Sequence, residues 1–307
     1  MTHLIQQRPG SGGSGSSPGT AQPAAPTAAA PAAATPRRRR RDFGAAFGAA
    51  WIAVVVLAAV TADLLPLPDP NEVTNAFSAM PGTAGHLLGT DSIGRDVLSR
   101  IVHGARISMA VAIGATGIAL VIGVTLGMLA GYFRGATDSA IGLFVNFTLA
   151  FPPLIFLIAM VTALQPGLAT LVVALALLGV PNFARVARAN TIAFADREFV
   201  TAAKALGARP LRILTRELLV NVMLPIMSLA LVVMATLVVA EGTLSFLGVG
   251  VPPPAPSWGG MLAAGRESLS DNPQLVLVPA LFFFLTVFAF NRLGDWARGR
   301  VGRESSL

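Results

Sequence analysis

Apolar positions along this chain gather into six runs, at 43–65, 107–133, 139–164, 168–183, 225–247 and 275–293. A helix rises about 1.5 Å per residue, so roughly 20 apolar residues cross a hydrocarbon core about 30 Å thick. Five of the runs reach or approach that length, and the fourth falls short of it. The pattern predicts an all-α polytopic membrane bundle of six transmembrane helices. Residues 1–36 break the pattern: they are Gly, Ser, Pro, Ala and Thr with almost no large apolar side chain. Such a segment cannot bury enough surface to offset its ordering entropy, and disorder is expected.

The polar stretches divide the chain further. Residues 1–42 form a cytoplasmic tail ending in five arginines at 37–41. The run that follows is too long for a signal-peptide core and starts too far from the N-terminus, so 43–65 reads as an uncleaved first span. Residues 66–106 form an extracytoplasmic loop whose last part, 91–106, is partly amphipathic and is predicted to lie on the membrane surface as a helix. A five-span core occupies 107–298 and contains a basic loop at 185–224. A short cytoplasmic tail, 299–307, completes the chain.

Charge sets the orientation. The chain has 22 Lys and Arg against 15 Asp and Glu, a net charge of +7. With the N-terminus inside, 18 of the basic residues fall on cytoplasmic segments, leaving Arg95, Arg100, Arg106 and Arg266 outside. This asymmetry is the positive-inside pattern, and it places both ends in the cytoplasm. Only 12% of residues are charged, 54% are hydrophobic, and mean hydropathy is +0.69, which excludes a soluble protein. The basic residues alternate with apolar spans and have no aromatic residues interleaved, so nucleic acid is excluded as a ligand.

Several chemistries are also excluded. The chain has no cysteine, hence no disulfide, thiolate metal site or cysteine nucleophile. His3, His86 and His103 lack metal-ligand spacing, and no metal site is expected. A phosphate-binding loop needs Gly-Lys followed by Ser or Thr, whereas the only lysine, Lys204, follows Ala203. ATP is therefore not expected to bind here by that device. Most spans also lack the midplane ionisable groups common in gradient-driven carriers, which favours an external motor.

The basic loop carries the most specific pattern. It reads Thr201, Ala202, Ala203, Lys204, Ala205, Leu206, Gly207, Ala208, Arg209, Pro210. Its Ala and Leu content favours helix, Gly207 suits a left-handed helix end, and Pro210 suits the first turn of another helix. A helix-turn-helix with a small alanine face can seat in a groove on another protein. It can equally be a basic surface held by lipid headgroups.

Thr201-Ala-Ala-x-x-x-Gly207, between the fourth and fifth spans, resembles the EAA loop of the permease subunits of binding-protein-dependent ABC importers. Thr201 stands where that family has Glu, and Val220 stands where its terminal Pro is expected. Three further segments resemble the C-type subunit of dipeptide and oligopeptide importers: His86 to Arg100 continuing to Ser108, Gly127 to Gly135 with Asp138, and Glu241 to Gly250 with the Pro256-Ser-Trp-Gly259 segment. The resemblance covers about residues 64–298. It implies a type I importer fold and a non-catalytic subunit in a bacterial cytoplasmic membrane. It also implies several partners: a homologous second permease, two cytoplasmic ATPase subunits that use ATP and Mg2+, and an extracytoplasmic peptide-binding protein. Residues 201–209 would be the ATPase-coupling site. Nickel or another small solute is an alternative cargo, and a gradient-driven carrier or a recruiting scaffold is an alternative class.

Other positions stand out physically. Glu241 interrupts an apolar run, at a cost that requires it to face the bundle interior or an interface. It reads either as a translocation-path or outer-gate group, together with Ser245 and Phe246, or as a fold-stabilising hydrogen-bond partner. Gly123, Gly127 and Gly131 form a smooth stripe that suits close helix packing. Pro152 and Pro153 remove helix hydrogen bonds in the third span, as a plain kink or beside a path.

Overall fold

A computed structural model describes residues 42–83 and 85–304. The predicted disordered tail and its arginine cluster lie outside the described residues, as do 305–307. The described chain is an all-α bundle: α1 (Phe43–Thr61), α2 (Val97–Phe133), α3 (Gly135–Ala150), α4 (Pro153–Leu164), α5 (Leu168–Ala195), α6 (Glu198–Ala205), α7 (Pro210–Arg212), α8 (Leu219–Phe246), α9 (Trp258–Gly265) and α10 (Gln274–Glu304). A π-helical stretch, Ile213–Leu218, joins α7 to α8, so Pro210–Phe246 is one uninterrupted element.

The third apolar run departs from a simple span. It is two helices, α3 and α4, meeting at 92°. Pro152 and Pro153 lack the N–H groups that would bond back to Thr148 and Leu149, and Phe151 before them is extended (φ −80°, ψ 135°). Among the described residues five helices are therefore long and apolar enough to cross a membrane, and six crossings result when the broken pair is counted as one span.

Other helix ends also differ from the expectation. The surface helix expected over 91–106 does not exist separately: 97–106 is the start of α2. Asp96 caps that start by accepting from the Ser99 N–H at 2.7 Å. The polar residues that made the segment look amphipathic bind protein, since Ser99 donates to the Pro68 carbonyl at 2.6 Å and Arg100 to the Pro70 carbonyl at 2.9 Å. The short fourth run belongs to a 28-residue helix, α5, whose apolar pattern, but not its helix, is interrupted by Arg185 and Arg188. The basic loop begins with the last turns of α5, and residues 299–304, expected as a tail, are still α10.

The bundle is organised around α2 and α5. Gly123, Gly127 and Gly131 all face α5. An added Cβ would stand 2.6 Å from the Phe183 Cβ, 2.6 Å from the Ala187 Cβ and 2.8 Å from the Thr191 Cβ, respectively. From α5, Gly179 returns the fit against the Ala119 Cβ at 2.8 Å. Positions rise together along both helices, so α2 and α5 run parallel. α1 lies antiparallel to α10, with Gly48 against Ala289 and the Trp51 indole donating to the Thr286 hydroxyl at 3.0 Å.

Candidate functional site

The turn between α5 and α8 is built from local signals. α6 is closed off two residues beyond its end by Gly207, whose φ is +77°. There the Ala208 N–H reaches the Ala203 carbonyl and the Gly207 N–H reaches the Lys204 carbonyl, both at 3.0 Å. This double bond pattern satisfies the last carbonyls of the helix and needs a left-handed residue at its corner. Arg209 is extended, and Pro210 then occupies the first helical position of α7.

The turn is held from beneath and open above. Val200, fully buried, and Ile213 anchor it in the core with Leu214 and Leu218, while Ala203 and Ala208 are half-buried over that core. Thr201, Ala202, Lys204, Ala205, Gly207 and Arg209 are exposed. Leu206 and Leu211 are 88% and 72% exposed, large apolar side chains on an otherwise basic surface. Lys204 reaches over the Tyr132 ring at 5.6 Å, and Arg134 pairs with Asp196 at 2.8 Å, tying the turn to the end of α2. A small, exposed, cationic ridge on a fixed base can enter a groove on another protein. Because Pro210–Phe246 is continuous, a push on the turn is delivered to a span.

Glu241 lies near the other end of α8, fully buried. The Ser245 hydroxyl donates to its Oε1 at 2.8 Å and the Ser108 hydroxyl to its Oε2 at 3.2 Å. Ser257 caps α9, accepting from the Gly260 N–H at 3.1 Å. Beside it, buried Trp258 donates to the Ile101 carbonyl at 3.0 Å, and Gly259 sits so close to Gly242 that a Cβ would stand 2.6 Å from the Gly242 carbonyl. Glu241 thus joins α2 to α8 inside this chain's own bundle, and α9 packs against the next residue, Gly242. Replacing Glu241 with Ala strips the acceptor from these hydroxyls and opens a void, so a loss of about 2 kcal/mol or more is expected. The check is thermal unfolding of the purified protein, with Glu241→Gln losing less; an unchanged midpoint would refute this structural role.

The 66–96 loop at the same end is held by its own hydrogen bonds. Thr90 donates to the Ala76 carbonyl and accepts from the Ala79 N–H at 2.9 Å. Asp91 accepts from the Arg95 guanidinium at 2.7 Å, and His86 Nδ1 meets Asp96 at 2.7 Å. Arg106 makes a two-pronged contact with Asp63, at 2.9 and 3.2 Å, which fastens the end of α1 to α2.

The sequence-predicted residues thus fall in separate places. Residues 201–209 share the exposed turn, and the three stripe glycines lie in the α2–α5 seam. Of the gate group, Glu241 and Ser245 are buried, whereas Phe246 is 41% exposed with Arg266 over its ring at 5.9 Å. Pro152 and Pro153 are exposed at the α3–α4 break, apart from Glu241. Ser108, Ser257 and Tyr132 were missed as individual residues. All three lay within recognisable segments, but only the fold shows that Ser108 meets Glu241 and that Tyr132 meets Lys204. No group of three or more His, Cys, Asp or Glu residues among those described could hold a metal ion.

Known proteins resemble this chain in sequence and in fold. The sequence profile described as "Binding-protein-dependent transport system inner membrane component" matches residues 123–303. The chain is 36% identical to the Di/tripeptide transport system permease protein DppC of Pseudomonas aeruginosa (strain UCBPP-PA14), over 83% of this chain and 86% of that one. It is 38% identical to the Dipeptide transport system permease protein DppC of Alkalihalophilus pseudofirmus, over 83% and 84% of the two chains. The Glutathione transport system permease protein GsiD of Pectobacterium atrosepticum is 36% identical over 84% and 86%. In fold, a chain of the MetNI methionine ABC transporter in an inward-facing conformation superposes with a TM-score of 0.54 at 21% identity, covering 66% of this chain and 96% of that chain. An all-α multi-pass bundle, a capped basic turn continuous with a span, and a profile matched across both therefore lead to one conclusion: the chain belongs to the family of binding-protein-dependent transport system inner membrane components.

Proposed function

We propose that this chain is one of two membrane-spanning subunits of an ATP-driven importer of dipeptides and short oligopeptides. It sits in a bacterial cytoplasmic membrane with both ends in the cytoplasm. The observation that carries the reading is the turn at 197–216: exposed, small-faced and basic, anchored by Val200, and continuous with α8. The peptide cargo is supported by relatives named for dipeptide, di/tripeptide and glutathione transport.

In this reading a homologous second permease supplies the other half of the path. Two cytoplasmic ATPase subunits seat residues 201–209 in their grooves, with Leu206 entering as an apolar knob and Arg209 meeting acidic groups at the rim. ATP and Mg2+ are used by those subunits, and this chain binds neither. A peptide-binding protein docks at the end that carries the 66–96 loop, and lipid surrounds the apolar faces. The chain acts as conduit and lever, with no bond made or broken on it.

Reconstitution tests this reading. The chain, its second permease, its ATPases and its binding protein are assembled in vesicles, and ATP hydrolysis and uptake are followed as dipeptides are added. The expected result is peptide-stimulated hydrolysis with uptake that stops without ATP. Uptake by this chain alone, without the ATPases, would overturn the proposal. Stimulation by nickel with none by peptides would move the cargo.

A further inference from the structure

The α3–α4 break leaves backbone groups that the sequence cannot satisfy. Pro152 and Pro153 offer no N–H to the carbonyls of Thr148 and Leu149. No backbone or side-chain donor among the described residues reaches the carbonyls of Thr148, Leu149, Ala150 or Phe151. The break is open to the surroundings: Leu149 is 39% exposed, Phe151 43%, and both prolines are exposed.

Topology places this break inside the membrane. α2 and α5 run parallel, so the chain between them must cross back, and residues 135–164 are the only segment that can do so. Arg185 donates to Asn146 at 3.1 Å and so fixes the level of α3 against α5. Arg185 lies 17 residues past Leu168, the start of α5. That separation is about 26 Å, and the break lies about 8 Å nearer that start, within a hydrocarbon core about 30 Å thick. Carbonyls left unmet against lipid cost several kcal/mol each, and irregular backbone at this depth persists only against protein or water. These unbonded carbonyls also close the C-terminal end of α3, where the helix dipole is negative and favours a cation.

We propose that the α3–α4 break is the cargo-contacting wall of the aqueous path, and that its free carbonyls receive a protonated amine, the amino terminus of a passing peptide. The identity of the amine as a peptide rests on the import reading above; the wet, cation-favouring wall does not. Carbonyl acceptors fit such a cargo because they bind the ammonium and main-chain N–H groups common to peptides and ignore side chains.

The absence of native cysteine makes the test direct. Ala150→Cys and Phe151→Cys are placed singly in the complete complex, with its other subunits cysteine-free, in membrane vesicles. Each is treated with a trimethylammonium methanethiosulfonate and with its sulfonate counterpart. Leu57→Cys, on an exposed apolar position of α1, serves as the lipid-facing reference, and Asn75→Cys, in the 66–96 loop, as the aqueous one.

The expected result is reaction at 150 and 151 but not at 57. The cationic reagent should be favoured about fivefold or more over the ratio seen at 75. Addition of binding protein, dipeptide and ATP should slow it. No reaction at 150 and 151 overturns the proposal, whether the break is dry against a second permease or against lipid. Reaction without cation preference overturns it too. Leu149→Cys serves if either variant fails to assemble. Cation preference in a complex that ignores peptides would sink the peptide reading and leave the wall standing, so the two failures are separable.

Discussion

Replacing Gly207 by valine is expected to lower ATP-driven uptake about tenfold while the protein still inserts and accumulates normally. The position has φ +77°, and an added Cβ there has nothing within 4 Å, so crowding is not the cause. The cause is the backbone: a β-branched residue held left-handed is strained by about 1–3 kcal/mol, and the chain relieves this by leaving the conformation. The bonds from Gly207 and Ala208 to Lys204 and Ala203 are then lost, and Leu206 and Arg209 shift against the base held by Val200. Gly207→Asn should retain most uptake, because Asn tolerates this region. Vesicle uptake and ATP hydrolysis, measured on the same preparations, give the answer. Equal uptake by the wild type and Gly207→Val at equal abundance would refute the role of the turn.

Gly127→Leu should have the larger effect on the protein itself. A Cβ at 127 would lie 2.6 Å from the Ala187 Cβ and 2.9 Å from the Arg188 nitrogen, and would also meet the Ala184 carbonyl. These are backbone or first-carbon atoms and cannot swing aside, so α2 must leave α5 along the whole seam. Overpacking a tight core costs about 1–3 kcal/mol for added methylenes, and a full leucine should exceed that range and deplete the assembled protein. Gly117→Leu on the same helix, where an added Cβ has nothing within 4 Å, should be tolerated. Thermal unfolding of the purified chain and its abundance in membranes provide the measurements. Equal midpoints for the two variants would show that the seam is softer than its geometry.

Run lengths made the helical bundle legible, because spanning a bilayer demands apolar length before anything else. The same criterion failed at helix ends. Hydropathy falls at Arg185 and Arg188 while α5 continues, since Arg188 pairs with Asp138 and Arg185 with Asn146 and neither side chain disrupts the backbone. It failed again at 97–106, where polar residues that resemble a surface helix are bonded to the preceding loop. The turn at Gly207 was readable because its chemistry is local: a glycine corner followed by a proline start. The Glu241 cluster was not, because Ser108 lies 133 positions away and no local pattern marks the meeting. The two prolines were visible as a helix fault, but the right-angle turn they create depends on how α3 and α4 pack.

The uninterrupted Pro210–Phe246 element limits which motions are available to the bundle. A rigid rod has few independent degrees of freedom, and this one carries the basic turn at one end and the Glu241 clamp near the other. Besides Pro225, which lacks the N–H that would bond back to Asn221, its compliant point is the π-helical stretch Ile213–Leu218, where wider hydrogen-bonded turns loosen the coil. Rotation of about 5° there displaces the far end, some 42 Å away, by about 4 Å. The Ser108 hydroxyl on α2 is bonded to Glu241 near that far end, so in the importer proposed above the outer mouth is expected to move when the inner ridge is pushed. On that proposal, opening at one side and closing at the other would be one movement, phase-locked by geometry without any signal relayed from residue to residue.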